Sequence, residues 1–300
     1  MIRPVAFRMN EQTAVNNYFQ EDLDLKNAVI NTKAQEEFDA FVKKLRAVGV
    51  QVIVENDDLK MDTPDSIFPN NWVSFHADGM VGLYPMFAEN RRRERREEVM
   101  DRLESEGYFI KGYMDYTSAE DEGFFLEGTG SLLLDRVNRK AYCALSARAD
   151  EELVIEFCED FEYLPVIFTA NQTVEGKRLP IYHTNVMMAL AENFAIICLD
   201  TIDDKQEKKN VVNNLKKDGK EIIEITEAQM HQFAGNMLQL QGAEHKYMVM
   251  SEAAHKSLRP DQIKAIEKHC KILSSNLETI ETCGGGSARC MMAEVFLPKE

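Results

Sequence analysis

The chain has 300 residues, 44% of them apolar, so it can bury a sizeable core. Its formal charge of −16 argues against a phosphate-binding surface and so against nucleic acid. No run approaches the eighteen or so apolar residues of a membrane span, and the opening "MIRPVAFRMN" reads as no secretory leader.

Chain order then brings regular elements. "TKAQEEFDAFVKKLRAVG" (32–49) has the spacing of a helix ended by Gly49, and "VQVIVE" (50–55) reads as the strand after it. "NWVSFHADGMVGLYP" (71–85) alternates as two short strands around Ala77-Asp78-Gly79. The same arrangement returns in "GSLLLDRVNRKAYCAL" (130–145), "NVMMALAENFAIICL" (185–199) and "NMLQLQGAEHKYMVM" (236–250). Helical patterns follow each hairpin, at 90–105, 147–161, 203–217 and 259–270. Apolar strand-like runs come after most of those helices, at 163–168, 220–225 and 270–275.

This is a ββαβ unit used repeatedly. The residues that open the hairpins are Asn70, Glu127, His183 and Asn236, and Cys290 opens a last strand, with separations of 57, 56, 53 and 54. Near-constant spacing marks a repeat architecture. The expectation is an α/β fold of five pseudo-symmetric units, one domain over residues 1–300, arranged as a closed propeller. The fifth unit shows one evident strand, "RCMMAEVFLP" (289–298), and "IRPVAF" (2–7) is expected to pair there and remove an exposed edge.

In a closed radial array the openers face one another across the axis. Three of them are Glu127, His183 and Cys290, a set that is hard to read as packing. A thiol needs a neighbouring base to become a good nucleophile. An imidazole can take that proton and return it to a departing amine, while a carboxylate orients the imidazole. The Gly284-Gly285-Gly286 run lets backbone approach a planar group, with its N–H groups available to developing negative charge.

Each residue also has a plainer reading: Cys290 as a small buried side chain, His183 as a hydrogen-bonded strand start, Glu127 as a turn carboxylate. "RRRERREE" (91–98) reads first as a charged helix face, second as an arginine fork for a substrate carboxylate. "GGGSAR" lacks the Lys-Ser/Thr end of a P-loop, and "EGTGS" is not the dinucleotide-binding glycine pattern. The six cysteines form no C-x-x-C pair and the six histidines no H-x-x-x-H, so no metal and no cofactor is expected, and free thiols imply the cytoplasm.

At these residues the chain resembles the guanidine-modifying, or pentein, superfamily, which includes arginine deiminases, dimethylarginine hydrolases and amidinotransferases. The likeness spans essentially the whole chain. Within the superfamily it is similar to the citrulline utilization hydrolase branch, through "FPNNWVSFH", "GLYPMFAENRRRERR", "LEGTGSLLLDR", "HTNVMMAL" and "GGGSARCMMAEV". The resemblance implies a five-fold α/β propeller with Cys290 as nucleophile, His183 as acid/base and Glu127 as its carboxylate. It implies substrate contacts at Asn71 and Asn185 and a carboxylate-binding arginine near Arg93, while the glycine run itself adds Gly285 and Gly286 as expected substrate contacts.

Asn71 and Asn185 fall where deiminases carry aspartates. A guanidinium offers only donors and a positive charge, whereas a neutral ureido group also offers a carbonyl. The departures therefore lean toward a citrulline-like substrate, a small amino acid, giving ornithine, ammonia and carbon dioxide. An arginine deiminase, dihydrolase or amidinotransferase is the alternative. A non-catalytic binding module like the ribosome anti-association factor is the alternative from another class. The sequence is compatible with a homo-oligomer, and "FQEDLDLKN" (19–27) and "EDEGF" (120–124) read as loops near the pocket.

Overall fold

A computed structural model describes residues 1–299. Its strands are β1 (Ile2–Arg3), β2 (Glu55–Asn56), β3 (Val73–Phe75), β4 (Met80–Leu83), β5 (Gly112–Asp115), β6 (Leu132–Asp135), β7 (Lys140–Leu145) and β8 (Leu164–Thr169). They continue as β9 (Asn171–Val174), β10 (Lys177–Pro180), β11 (Met188–Leu190), β12 (Phe194–Ile197), β13 (Glu221–Glu224), β14 (Leu238–Gln241), β15 (Lys246–Ser251) and β16 (Lys271–Ser275).

The repeat is visible in the pairing. Four three-stranded sheets, β3-β4-β5, β6-β7-β8, β11-β12-β13 and β14-β15-β16, each join an antiparallel hairpin to a third strand that runs parallel to the hairpin's second strand. A parallel partner requires a crossover, and a helix supplies it each time. Those crossovers contain Glu97–Ser105, Glu151–Asp160, Lys205–Lys217 and Pro260–Glu267. Two of these helices begin on side-chain caps: Asp150 accepts from Glu152 N–H, and Asp204 from Gln206 and Glu207 N–H.

Asn27–Ala47 is the longest helix and buries Ile30, Ala34, Phe38, Phe41, Val42 and Leu45 along one stripe. Gly49, at φ +86°, ends the segment, and a Cβ there would sit 2.5 Å from Ala243 Cβ. Cutting Phe38 or Phe41 back to Ala would cost about 3–5 kcal/mol. Neighbouring units are also locked by buried ion pairs: Lys140–Asp218 at 2.7 Å and Lys220–Asp135 at 2.8 Å tie the second unit to the third.

Three expectations change. β1 pairs in parallel with β2, not with the C-terminal run, and of the expected 50–55 strand only Glu55 joins a ladder, together with Asn56 just beyond it. The 289–298 run forms no strand; it turns at Arg289–Met292, and its end bonds back to the first unit through Phe109 N–H and Pro298 O. The fifth unit is therefore incomplete, and no sheet closes on itself among the described residues. The 90–105 segment is also no continuous helix. Glu89–Glu94 is a 3₁₀ turn, Arg95 and Arg96 are extended, and the α-helix starts at Glu97. The break exists because Arg91 turns inward to pair with Glu94 rather than facing water. β9–β10, an added hairpin just before His183, has no counterpart in the other units.

Candidate active site

Glu127 and His183 sit at equivalent points of their units. Each precedes a single helical turn, Gly128–Ser131 or Thr184–Met187, that leads directly into β6 or β11. The turn aims the preceding side chain toward the common centre. Cys290 arrives on the turn after the glycine run, which follows the helix Glu278–Gly284.

The five openers are joined by contacts made directly or through their near neighbours Asn185 and Gly130. Glu127 Oε2 is 2.7 Å from His183 Nε2. Asn236 donates from Nδ2 to Asn185 O at 2.9 Å and to Cys290 Sγ at 3.2 Å. Asn185 donates to the same sulfur at 3.4 Å. With its amide oriented to satisfy both ends, Asn70 donates to Cys290 O at 2.6 Å and accepts from Gly130 N–H at 3.2 Å. Residues about 55 apart in sequence thus meet. Glu127, His183 and Cys290 are all buried, at 0%, 2% and 3% exposure, so water is largely excluded from the group.

Charge settles the protonation pattern. Burial pushes the Glu127 carboxyl up, but Arg148 at 3.5 Å, the His183 contact and Arg91 at 3.9 Å outweigh it and hold it at about 2. Burial holds His183 down at about 4 despite Glu127, so the imidazole is neutral near pH 7. An ionised carboxylate only accepts, so His183 Nε2 carries the proton and Nδ1 the lone pair. The amide N–H groups of Asn185 and Asn236 are directed at Cys290 Sγ, and the thiol lies 3.8 Å from Asn185 Oδ1.

Gly130 keeps the space beside that lone pair. A Cβ there would lie 2.8 Å from His183 Nδ1 and 2.3 Å from Asn71 Nδ2. Asn71 Oδ1 accepts from Arg91 Nη1 at 2.9 Å, which fixes the amide and leaves Nδ2 buried without a partner. Asp65 Oδ1 is likewise buried and unpartnered, while its Oδ2 is held by Asn10 and Thr13. Arg91 flanks both, its Nε 3.9 Å from Asp65 Oδ2.

The structure does not bring Arg93 into this set. Arg93 is exposed, with Nε toward Asn90 O and Nη2 toward Asp62 O. Arg91 is the arginine of that cluster that turns inward. The glycine run also differs in its use. Gly285 N–H is spent on Glu281 O at 2.9 Å, so it is not free for developing charge. Its carbonyl instead accepts from Asn17 and Tyr182, and Gly284 O accepts from Asn17. Gly285 has φ +61°, and Gly286 packs against Phe68 with its Cβ position 3.3 Å from Cys290 Cβ.

Arg148, Asp65 and Asn17 were not singled out from sequence. Arg148 stacks over Tyr182 at 5.0 Å and donates to Thr13 O and Asn16 Oδ1, joining the N-terminal segment to Glu127. The only available signal was its position between β7 and the Asp150 cap. All six cysteines are buried free thiols. Among the described residues no group of three or more His, Cys, Asp or Glu is placed to hold a metal, and no helix is long and apolar enough to cross a membrane.

The sequence profile of the family described as "N,N dimethylarginine dimethylhydrolase, eukaryotic" matches residues 3–297. The chain belongs to that family. The expected place in the guanidine-modifying superfamily is therefore met. Among solved structures, apo ArgZ, an arginine dihydrolase from cyanobacteria, superposes with TM-score 0.76 at 14% identity over 100% of this chain and 40% of that one. This chain thus spans 40% of that protein's length. The N-terminal domain of ArgZ, as a cysteine-to-serine variant bound to substrate, gives TM-score 0.70 at 15% identity, covering 99% of this chain and 98% of that domain. A histidine-to-glycine variant of dimethylarginine dimethylaminohydrolase, as an adduct with S-methyl-L-thiocitrulline, gives 0.63 at 14%, covering 97% and 96%. At such identities these likenesses concern the fold. No curated protein matches the chain by sequence.

Proposed function

We propose that the chain is a cofactor-independent cysteine hydrolase of ureido or guanidino side chains, with a citrulline-like amino acid as substrate. In this reading residues 1–300 form one five-bladed α/β propeller whose fifth blade is assembled from both chain ends. The reaction centre is the axial group described above.

Cys290 Sγ attacks the central carbon while its proton passes to His183 Nδ1. His183 then gives that proton to the departing side-chain nitrogen, and the C–N bond breaks to release ornithine. The S-carbamoyl group left on Cys290 is attacked by a water that His183 deprotonates. Carbamate leaves and falls to ammonia and carbon dioxide, and the proton returns the thiol. Glu127 stabilises the imidazolium that forms twice in this cycle. Asn185 and Asn236 receive the sulfur's charge before attack and after release.

Asn71 carries the substrate assignment. Its Nδ2 is a buried donor with no acceptor, held in that orientation by Arg91. Leaving such a donor unmet costs about 1–3 kcal/mol. A ureido carbonyl meets it, whereas a guanidinium has no acceptor to offer. The unpartnered Asp65 Oδ1 supplies the complementary acceptor for a substrate N–H. Arg148 is the buried cation nearest to Glu127 that a substrate carboxylate could meet, since Arg91 is taken up by Glu94 and Asn71 and Arg93 lies further out.

A second reading, hydrolysis of arginine, is supported by the carboxylates Glu127 and Asp65 and by the names of the similar proteins. Incubation with citrulline, arginine, dimethylarginine and their N-acyl forms, reading ammonia and ornithine, separates the two. Ornithine from citrulline is expected. Turnover of arginine or dimethylarginine with none of citrulline would replace the first reading by the second.

A further inference from the structure

The first strands of the units have two ends, and only one carries the reaction centre. Glu127 precedes β6, and the strand's four residues carry the chain about 13 Å to Asp135. At that far end lies a cavity of about 380 Å³. Its lining includes Thr129, Met237 and Arg289, sequence neighbours of Glu127, Asn236 and Cys290, so it lies directly behind the reaction centre.

Four cations line it: Arg136, Lys220, Lys246 and Arg289. Lys220 is fully used, bonding Asp135 together with the carbonyls of Ala191 and Glu192. Lys246 is paired with Glu192, and Arg289 bonds Met292 O and the Glu294 carboxylate. Arg136 has no carboxylate or hydrogen-bond partner among the described residues; its guanidinium lies 4.0 Å over the Phe296 ring. That stacking holds the fork in place with its N–H donors unspent. Burial, and to a smaller degree Arg136, pull the Arg289 guanidinium down from its usual range, as expected of two like charges near each other in a sheltered place.

We propose that this cavity is a binding site for a small oxyanion, a phosphate or a carboxylate, gripped by Arg136 and Arg289. An oxyanion relieves the repulsion between the two guanidiniums and meets their planar donors in a geometry that chloride does not match. The site is separate from the substrate pocket, and its ligand would press on Arg289, whose backbone N–H is held at 3.0 Å by the same Asn236 that touches Cys290 Sγ.

Isothermal titration with inorganic phosphate, and in parallel with citrate, tests this on the whole chain at constant ionic strength set with chloride. The expected result is saturable binding of one anion per chain, weakened at least tenfold in Arg136→Gln and less so in Arg136→Lys, which keeps the charge but not the stacked fork. Phosphate binding tighter than citrate identifies a phosphate source, and the reverse a carboxylate source. Binding should persist in Cys290→Ala saturated with citrulline or arginine. Absence of saturable binding of both anions, equal binding by Arg136→Gln, or displacement by the amino acid would overturn the proposal. Because no turnover is read, these outcomes are independent of the reaction proposed for Cys290.

Discussion

Glu127 Oε2 lies 2.7 Å from His183 Nε2, and that contact fixes which imidazole nitrogen carries the proton. Replacing Glu127 by Gln keeps the shape but lets the amide donate, so the opposite tautomer becomes accessible. Positioned acid/base groups contribute about 10²–10⁴-fold, and kcat of Glu127→Gln should fall by at least ~10²-fold with KM little changed. Steady-state kinetics across pH reads this. A loss below threefold would remove Glu127 from the chemistry.

Asn236 connects sulfur, Asn185 O and Arg289 N–H. Asn236→Ala strips a donor from Cys290 and orphans a buried backbone N–H, with a stability cost of about 1–3 kcal/mol. Alkylation of Cys290 by iodoacetamide, followed by mass mapping, should slow several-fold at pH 7. An unchanged rate would mean that the sulfur does not depend on that amide.

Gly130 leaves the space between His183 Nδ1 and Asn71 Nδ2. In Gly130→Ala the new methyl would stand in that space. Activity should drop at least a hundredfold while circular dichroism keeps its native shape, with the melting temperature lowered by an overpacking cost of about 1–3 kcal/mol. A variant retaining more than a tenth of native kcat/KM would show that the space is not where substrate lies.

Asn71 should govern choice of substrate. In Asn71→Asp the free donor becomes an acceptor with charge, which favours a guanidinium over a ureido group. The ratio of kcat/KM for arginine to that for citrulline should rise by at least tenfold, as measured by competing the two. A constant ratio would argue against the carbonyl contact.

Acid should weaken the fold through the same residues. His183 titrates at about 4 when folded against 6.5 ordinarily, and Glu127 at about 2 against 4.5. The unfolded chain therefore binds more protons, first as pH falls from 6.5 toward 4 and then from 4.5 toward 2. The stabilisation is complete above pH 6.5 and is lost on acidification. Burial lowers His76 to about 3 and acts in the same direction, while Glu281, raised by burial to about 7, opposes it. His183→Gln isolates the site: its melting temperature should fall less than the native one between pH 7 and pH 4.5. Parallel curves would contradict the buried neutral imidazole.

Much of this was legible in the sequence because repetition is a local signal. Alternation within each hairpin located β3–β4, β6–β7, β11–β12 and β14–β15, and the constant spacing singled out Glu127, His183 and Cys290. The fifth unit was not legible, since its pairing joins residues from distant parts of the chain: Ile2–Arg3 against Glu55–Asn56, and Pro298 against Phe109. Arg91 and Arg93 look alike in a run of arginines, and only folding turns one inward onto Asn71 and Glu94. Arg148 depends on Asn16, 132 residues away, which no window along the chain can show.

The central claim is a covalent bond to one sulfur. Mixing the protein with citrulline, quenching in acid within milliseconds and mapping peptides by mass should find a carbamoyl group on Cys290, strongly reduced in His183→Gly, which neither takes the thiol proton nor protonates the leaving nitrogen. Turnover that proceeds with no adduct on Cys290 and survives Cys290→Ala would contradict the account.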